Sequence, residues 1–161
     1  MGTDIQTAFF DFTIAQMTAL NSSPVTVLPA LAGHGYWLQH VTLIRNGPRY
    51  ATQPGAMQLR VPGQAVTYVA FSGSMLLDTT SSATRSAEFR LQSSAGFAGD
   101  AATQYGSKGV EYFAATGNPT VDGTNVGGPV IMILRYLSFP TYPETLHTLF
   151  AGGGRVGVGR G

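Results

Sequence analysis

The chain has 161 residues, 43% of them hydrophobic, a formal net charge of +1 and no cysteine. A chain of this length buries roughly two-thirds of its unfolded surface, which is enough for the core of one domain. The lack of cysteine excludes disulfides, thiolate metal sites and a thiol nucleophile. The body has no basic cluster of the kind that binds nucleic acid and no run of 18 or more apolar residues that would predict a membrane helix.

The runs between the frequent Pro and Gly residues are rich in β-branched and aromatic side chains, which is typical of an all-β protein. In chain order, the segments with strand character are residues 10–14, 23–30, 35–46, 55–63, 64–73, 74–78, 85–93, 108–115 and 128–139. Turn-rich stretches at 46–55 and 115–128 separate several of them. The pattern of eight or so strands predicts an antiparallel two-sheet sandwich of jelly-roll type, with a barrel as the main alternative.

The predicted sandwich domain covers residues 9–139 and is flanked by two extended arms. Residues 1–8 form the predicted N-terminal arm, and residues 140–161 form a Gly-rich C-terminal arm. Pro140 and Pro143 mark the start of the second arm, because proline cannot donate a hydrogen bond to a strand ladder.

Alternation within the strands assigns side chains to the two faces of each sheet. Met57, Leu59 and Val61 are predicted to point inward, while Arg60 points outward. Glu88 and Glu111 also fall at outward positions of their strands. A pair of carboxylates can serve as acid and base in a glycosidase, but outward carboxylates are solvated or ion-paired by default. We therefore predict no catalytic residues and expect that the protein is not an enzyme.

No metal or cofactor site is predicted either. Even alternation places His34 and His40 on the same face, but no Asp or Glu lies between Asp11 and Asp78 to complete a local metal site. The segment around Asp122 has the density of Gly and Asn that is typical of a turn, and this favours a turn over a calcium loop.

The aromatic pair Tyr36 and Trp37 gives the sequence a second interpretation. Exposed aromatic side chains on a sandwich stack on sugars, so the pair is a possible platform for a carbohydrate. A single tryptophan among apolar neighbours in a strand is more often a core residue. If the pair is exposed, the alternative function is a carbohydrate- or receptor-binding component of a tail or head fibre.

The C-terminal arm is predicted to bind a partner. Glycine loses more backbone freedom on ordering than any other residue, so the arm gains little by folding alone. Strand addition to the exposed sheet edge of a neighbour would supply backbone hydrogen bonds. The predicted contacts are apolar anchors and two arginines that clamp carboxylates: Tyr142, Leu146, Leu149, Phe150, Arg155 and Arg160.

Residues 19–43 resemble a pattern of small β-rich virion proteins of tailed bacteriophages. The matching elements are Asn21, the run 23–26 (SPVT), the hydrophobic pair 27–28, Pro29-Ala30 and the turn 32–35 (AGHG). The segment 127–139, GGPVIMILRYLSF, is similar to the Gly-rich turn and final strand of such domains. The resemblance departs at Tyr36-Trp37, where a more polar strand entry is expected, and it does not extend into the C-terminal arm.

This resemblance implies a jelly-roll cement or decoration protein on the outer surface of a capsid. We expect it to be made in the cytoplasm of the bacterial host, because its first 20 residues carry two acids, no base and no secretory signal pattern. Its expected partners are the major capsid protein and further copies of itself, as a dimer or trimer at a symmetry axis. A possible second contact, on the body, comprises Tyr36, Arg45 and Arg49. Nucleic acid and membranes are not expected partners.

Chelation is the first test of these expectations. If no metal is needed for folding or assembly, particles treated with a strong chelator should retain this protein at unchanged occupancy. Occupancy is measured by gel densitometry of purified particles. Loss of the protein would show that His34, His40 or Asp122 had been misassigned.

Overall fold

A computed structural model of the chain describes residues 4–65, 67–88 and 106–140. Within these ranges the chain forms eight strands, one short α-helix and one turn of 3₁₀ helix. The strands are β1 (Gln6–Phe12), β2 (Val25–Leu28), β3 (His34–Asn46), β4 (Met57–Arg60), β5 (Thr67–Phe71), β6 (Ser82–Glu88), β7 (Val110–Ala114) and β8 (Val130–Pro140). The helix α1 spans Ile14–Met17, and the 3₁₀ turn spans Ser74–Leu76.

The strands form two antiparallel four-stranded sheets. The first sheet has the order β1-β8-β3-β6, and the second has the order β2-β7-β4-β5. β1 pairs with β8, β2 with β7, β3 with β6 and β4 with β5. The first strand in the chain thus pairs with the last, the second with the second-last, and so on toward the middle of the chain. The pairs β3–β8 and β4–β7 complete the two sheets. The predicted all-β class and two-sheet antiparallel sandwich are confirmed.

One hydrophobic core fills the space between the sheets. Phe12 from the first sheet and Tyr112 from the second lie with their ring centroids 4.9 Å apart. The predicted alternation of β4 is confirmed, because Met57, Leu59 and the following Val61 are all fully buried. These contacts join both inner faces into a single apolar cluster.

Parts of two segments predicted as strands are helical. Ile14 was expected to extend the first strand, but Thr13 forms a capping box with Gln16 and starts helix α1 instead. The hydroxyl of Thr13 accepts from the Gln16 N–H at 3.2 Å, and Gln16 Oε1 accepts from the Thr13 N–H at 2.9 Å. The segment 74–78 begins with the 3₁₀ turn, which buries Met75 and Leu76.

The limits of the first and last strands in the chain differ from the predicted arm boundaries. β1 already begins at Gln6, inside the predicted N-terminal arm, and β8 extends to Pro140, which pairs with His34. A register irregularity also lies between Leu38 and His40. It interrupts the alternation of β3, so His40 lies outward with Thr42, whereas His34 has the phase of the inward residues.

A buried arginine holds the connections at one end of the sandwich. Arg45 is 0% exposed, and its Nη1 donates to the carbonyl oxygens of Met75 and Leu76, both at 2.9 Å. Its Nε donates to the carbonyl of Gly47 at 3.1 Å, and Nη2 donates to that of Thr80. The guanidinium therefore joins the end of β3 to the whole β5–β6 connection.

The β7–β8 connection is attached to the same end by a second buried polar group. The hydroxyl of Tyr50 donates to the carbonyl of Gly128 at 2.7 Å. Burial raises the pKa of Tyr50 to about 12, although the positive charge of Arg45 opposes this shift, so the phenol remains a neutral donor. A Cβ at Gly128 would lie 2.4 Å from the carbonyl oxygen of Asn46, so this close approach requires glycine.

Replacing the buried arginine should destabilise the fold. Arg45→Met leaves four carbonyl acceptors without their donor, and we expect a loss of at least about 3 kcal/mol in the free energy of unfolding. The matched control is Arg49→Met, because Arg49 is exposed and makes one side-chain bond, to Asn125 at 2.6 Å. The control should change stability by about 0.5 kcal/mol or less. Urea unfolding measures both, and equal effects would contradict the role assigned to Arg45.

Candidate interaction face

The outer side of the first sheet carries the most exposed large hydrophobic side chain among the described residues. Where all four strands pair, cross-strand register arranges the outward residues in three rows, each with one residue from β1, β8, β3 and β6 in turn. Beyond these rows, Leu137 of β8 pairs with the outward Trp37 of β3. The polar row is Thr7, Arg135, His40 and Glu88; the middle row is Phe9, Ile133, Thr42 and Ser86; the end row is Asp11, Ile131, Ile44 and Thr84. We call these three rows the interaction face.

Apolar side chains occupy the centre of the interaction face. Phe9 is 68% exposed, and Ile133 beside it is only half-buried. Ile131 and Ile44 are neighbours in the end row and are also half-buried. Large exposed apolar patches on folded domains mark interaction sites, so these neighbouring side chains make this face the candidate.

Polar groups border the apolar centre on both sides. Arg135 and Glu88 are exposed at two positions of the polar row, separated by His40. His40 Nε2 lies 3.0 Å from the hydroxyl of Thr42, which fixes the imidazole against the face. Asp11 is exposed on the opposite border, at the β1 edge of the end row. An apolar centre with a polar rim is the usual composition of a protein interface.

The outer side of the second sheet is different, because its charges are satisfied internally. Arg60 Nε donates to Glu111 Oε1 at 2.6 Å, and the Arg60 guanidinium lies 3.3 Å from the centroid of the Phe113 ring. The Gly63 N–H also donates to the Glu111 carboxylate at 3.2 Å. Glu111 is outward and ion-paired, as predicted, but it is only 7% exposed beneath this arginine, a burial that its strand position did not indicate.

A cavity of about 190 Å³ opens at the edge of the sandwich where β5 and β6 lie. Val41, Leu43 and Phe71 provide apolar walls, and Arg85 lies at its border. The Arg85 guanidinium donates two hydrogen bonds to the Ser74 hydroxyl, from Nε at 3.1 Å and from Nη2 at 2.5 Å. The arginine is therefore already held by its own chain.

The body contact predicted from Tyr36, Arg45 and Arg49 does not form one surface. Arg45 is fully buried, and Tyr36 is 7% exposed with its hydroxyl donating to the carbonyl of Pro29 at 2.7 Å. Only Arg49 is exposed. Tyr36 and Trp37 are adjacent in β3 and point to opposite faces of the sheet, so they do not form a common platform for a sugar.

The structure also places the carboxylates that the sequence offered as catalytic or calcium-binding candidates. Glu88 belongs to the first sheet and Glu111 to the second, so the structure does not bring this pair together. Asp122 lies in a turn, as predicted: its carboxylate accepts from the N–H groups of Asn125 at 2.6 Å and Thr124 at 2.8 Å. These two bonds hold the pKa of the Asp122 carboxyl below its usual value.

The C-terminal arm contacts, from Tyr142 to Arg160, lie outside the described residues and stay predictions. In the described ranges, no three His, Cys, Asp or Glu side chains are grouped as metal ligands would be. Over that same part of the chain, no helix combines the length and apolar character needed to cross a membrane.

Comparison with known proteins assigns no family to this chain. No protein-family model matches the sequence, and no curated protein matches it. The functional argument therefore depends on the geometry of the chain itself.

The exposure of Phe9 makes a prediction about surface chemistry. Phe9→Ser should lower the binding of a fluorescent hydrophobic dye because it removes the most exposed ring of the interaction face, while unfolding free energy changes by about 0.5 kcal/mol or less. The matched control is Leu31→Ser, at a 44% exposed position in the β2–β3 connection. Equal dye binding by the two variants would contradict a special role for this face.

Proposed function

We propose that this protein is a non-enzymatic virion structural protein, a cement or decoration protein that binds the outer surface of a capsid and stabilises the shell by bridging capsomers. Its partners in this proposal are the major capsid protein and further copies of the same chain. The proposal combines the phage-protein resemblance of residues 19–43 with two features of the fold.

The strand pairing supports a jelly roll as the detailed topology. A jelly roll has eight antiparallel strands in two sheets and two Greek keys, and it is common in viral capsid proteins as well as in lectins and cupins. A jelly roll forms when one long antiparallel ribbon folds around a core. In such a ribbon the first strand pairs with the last, the second with the second-last, and so on. The four pairs from β1–β8 to β4–β5 have this arrangement. Because one fold serves many functions, topology alone does not carry the proposal.

The observation that carries the proposal is the interaction face. A free monomer would expose Phe9 at 68% together with the half-buried isoleucines of β3 and β8. With charged residues at 11% of the chain, about half the usual fraction or less, little surface charge offsets this apolar area. A component of a larger assembly covers such a face permanently.

The proposed mechanism is multivalent. Oligomers of the body present several C-terminal arms, and each arm adds a strand to the edge of a shell subunit. Leu149 and Phe150 would anchor the arm, and Arg155 and Arg160 would pair with carboxylates of the shell. Joining several weak contacts in one particle raises the overall affinity without any new type of contact.

A sedimentation assay with capsids that lack this protein tests the proposal. The full chain should co-sediment with the shells, whereas a chain that ends at Pro140 should lose at least about 100-fold in affinity, because each arm contributes to a multivalent contact. The truncated chain keeps all eight strands, so its unfolding midpoint should stay close to that of the full chain.

A milder variant and a control sharpen the assay. Gly153→Val with Gly157→Val should weaken co-sedimentation, because the added side chains hinder the close approach of the arm backbone to a partner. Lys108→Met should bind like the full chain, because Lys108 belongs to none of the predicted contacts. Equal shell occupancy of the full and truncated chains would refute the arm mechanism, and absence of binding by the full chain would refute the proposed function.

A further inference from the structure

We infer that the interaction face binds a second copy of this chain, about a two-fold axis that runs parallel to the strands between β8 and β3. The inference rests on the proposed function as a component of a larger assembly, and it deepens that function by naming the molecule that binds the interaction face. It concerns free protein in solution and so can be measured without shells.

The whole outer side of the first sheet, of which the interaction face is the central part, is large enough for such a contact. Its four strands lie about 4.8 Å apart and average about 9.5 residues of about 3.3 Å each, so they outline roughly 600 Å² in projection. Each partner of a standard protein interface buries about 800 Å², and side chains add to the projected area. Stacking the sheet on its own copy therefore gives an interface of ordinary size.

The row pattern selects one of the two possible in-plane axes. A two-fold axis perpendicular to the strands, through the middle row, would oppose the polar row to the partner's end row. Arg135 would then lie opposite the partner's Ile131, and His40 opposite the partner's Ile44, so that polar side chains would meet apolar ones. An axis parallel to the strands opposes every row to the same row of the partner, and aligned sheets are a common packing geometry.

The charges of the polar row are complementary under the parallel axis. With this axis between β8 and β3, Arg135 faces the partner's His40, and the partner's Glu88 is displaced sideways by one strand, about 5 Å. The stacked sheets are about 10 Å apart, a separation that the long arginine and glutamate side chains can span together. The symmetry repeats this contact, since the Glu88 carboxylate equally meets the partner's Arg135. Neither Arg135 nor Glu88 forms an ion pair within the described part of its own chain. Both therefore have their charges available for a partner.

The remaining rows are also compatible with this axis. Ile131 lies opposite the partner's Ile44, which places apolar surface on apolar surface at the centre. Asp11 lies opposite the partner's Thr84, whose hydroxyl can donate to the carboxylate. Phe9 lies opposite the partner's Ser86 and is removed from water. No charge is buried against an apolar side chain in this arrangement.

Charge reversal with rescue in trans tests the inference. Analytical ultracentrifugation of the full chain should show a dimer at micromolar concentration. Arg135→Glu and Glu88→Arg should each raise the dimer dissociation constant at least about tenfold, because both copies then place like charges together. An equimolar mixture of the two variants should form a heterodimer, since one copy carries two acids and the other two bases. Mixed pairing cannot arise from an effect on folding alone.

Lys108→Glu is the matched control, because Lys108 precedes β7 of the second sheet and lies outside the face, and this variant should dimerise like the full chain. A monomer or a trimer of the unmodified chain would overturn the inference, and so would a dimer that is insensitive to both reversals. A monomer that still co-sediments with shells would instead assign the face to the shell protein. A dimer that does not bind shells would preserve the inference and refute the proposed function.

Discussion

The bond network of Arg45 is the constraint on which the architecture of one end of the sandwich depends. A fully buried guanidinium is costly unless its donors find acceptors, and here they find four backbone carbonyls from the β3–β4 and β5–β6 connections. Tyr50 extends the network to the β7–β8 connection through Gly128. The network holds the connections together, and the strands that they join therefore keep the registers that produce the interaction face.

The two sheets of this sandwich have outer sides of different chemical character. On the second sheet, the Arg60–Glu111 pair and the Phe113 ring satisfy one another, which leaves little for a partner to recognise. On the first sheet, charge and apolar surface are separated into rows, and Arg135 and Glu88 have no such neighbours in the described ranges. A molecule with one self-satisfied side and one side open to pairing is suited to a layered assembly, in which each side has a different neighbour.

Local patterning predicted the fold class but not the positions that depend on long-range contacts. The alternation of β4 was predicted correctly because its pairing with β7 is uninterrupted, so its side chains keep the regular alternation of a pleated strand. The burial of Glu111 depends on Arg60, 51 positions away in the chain, so no local signal indicates it. The irregularity between Leu38 and His40 likewise changes which side chains share a face. The apolar residues on both sides of β8 are a sequence signal for the interaction face, and this signal was missed.

The position of β8 has a consequence for how the chain acquires its structure. β8 is the last of the eight strands in chain order, yet it lies between β1 and β3 in the first sheet. During synthesis, β1 and β3 are therefore translated before β8, the strand that joins them. Their hydrogen bonds to β8 can form only after nearly all of the sandwich has been translated. We therefore expect slow folding of this sheet, as for other topologies dominated by distant pairings. Until β8 is added, the unpaired strands are the part of the nascent chain most open to aggregation.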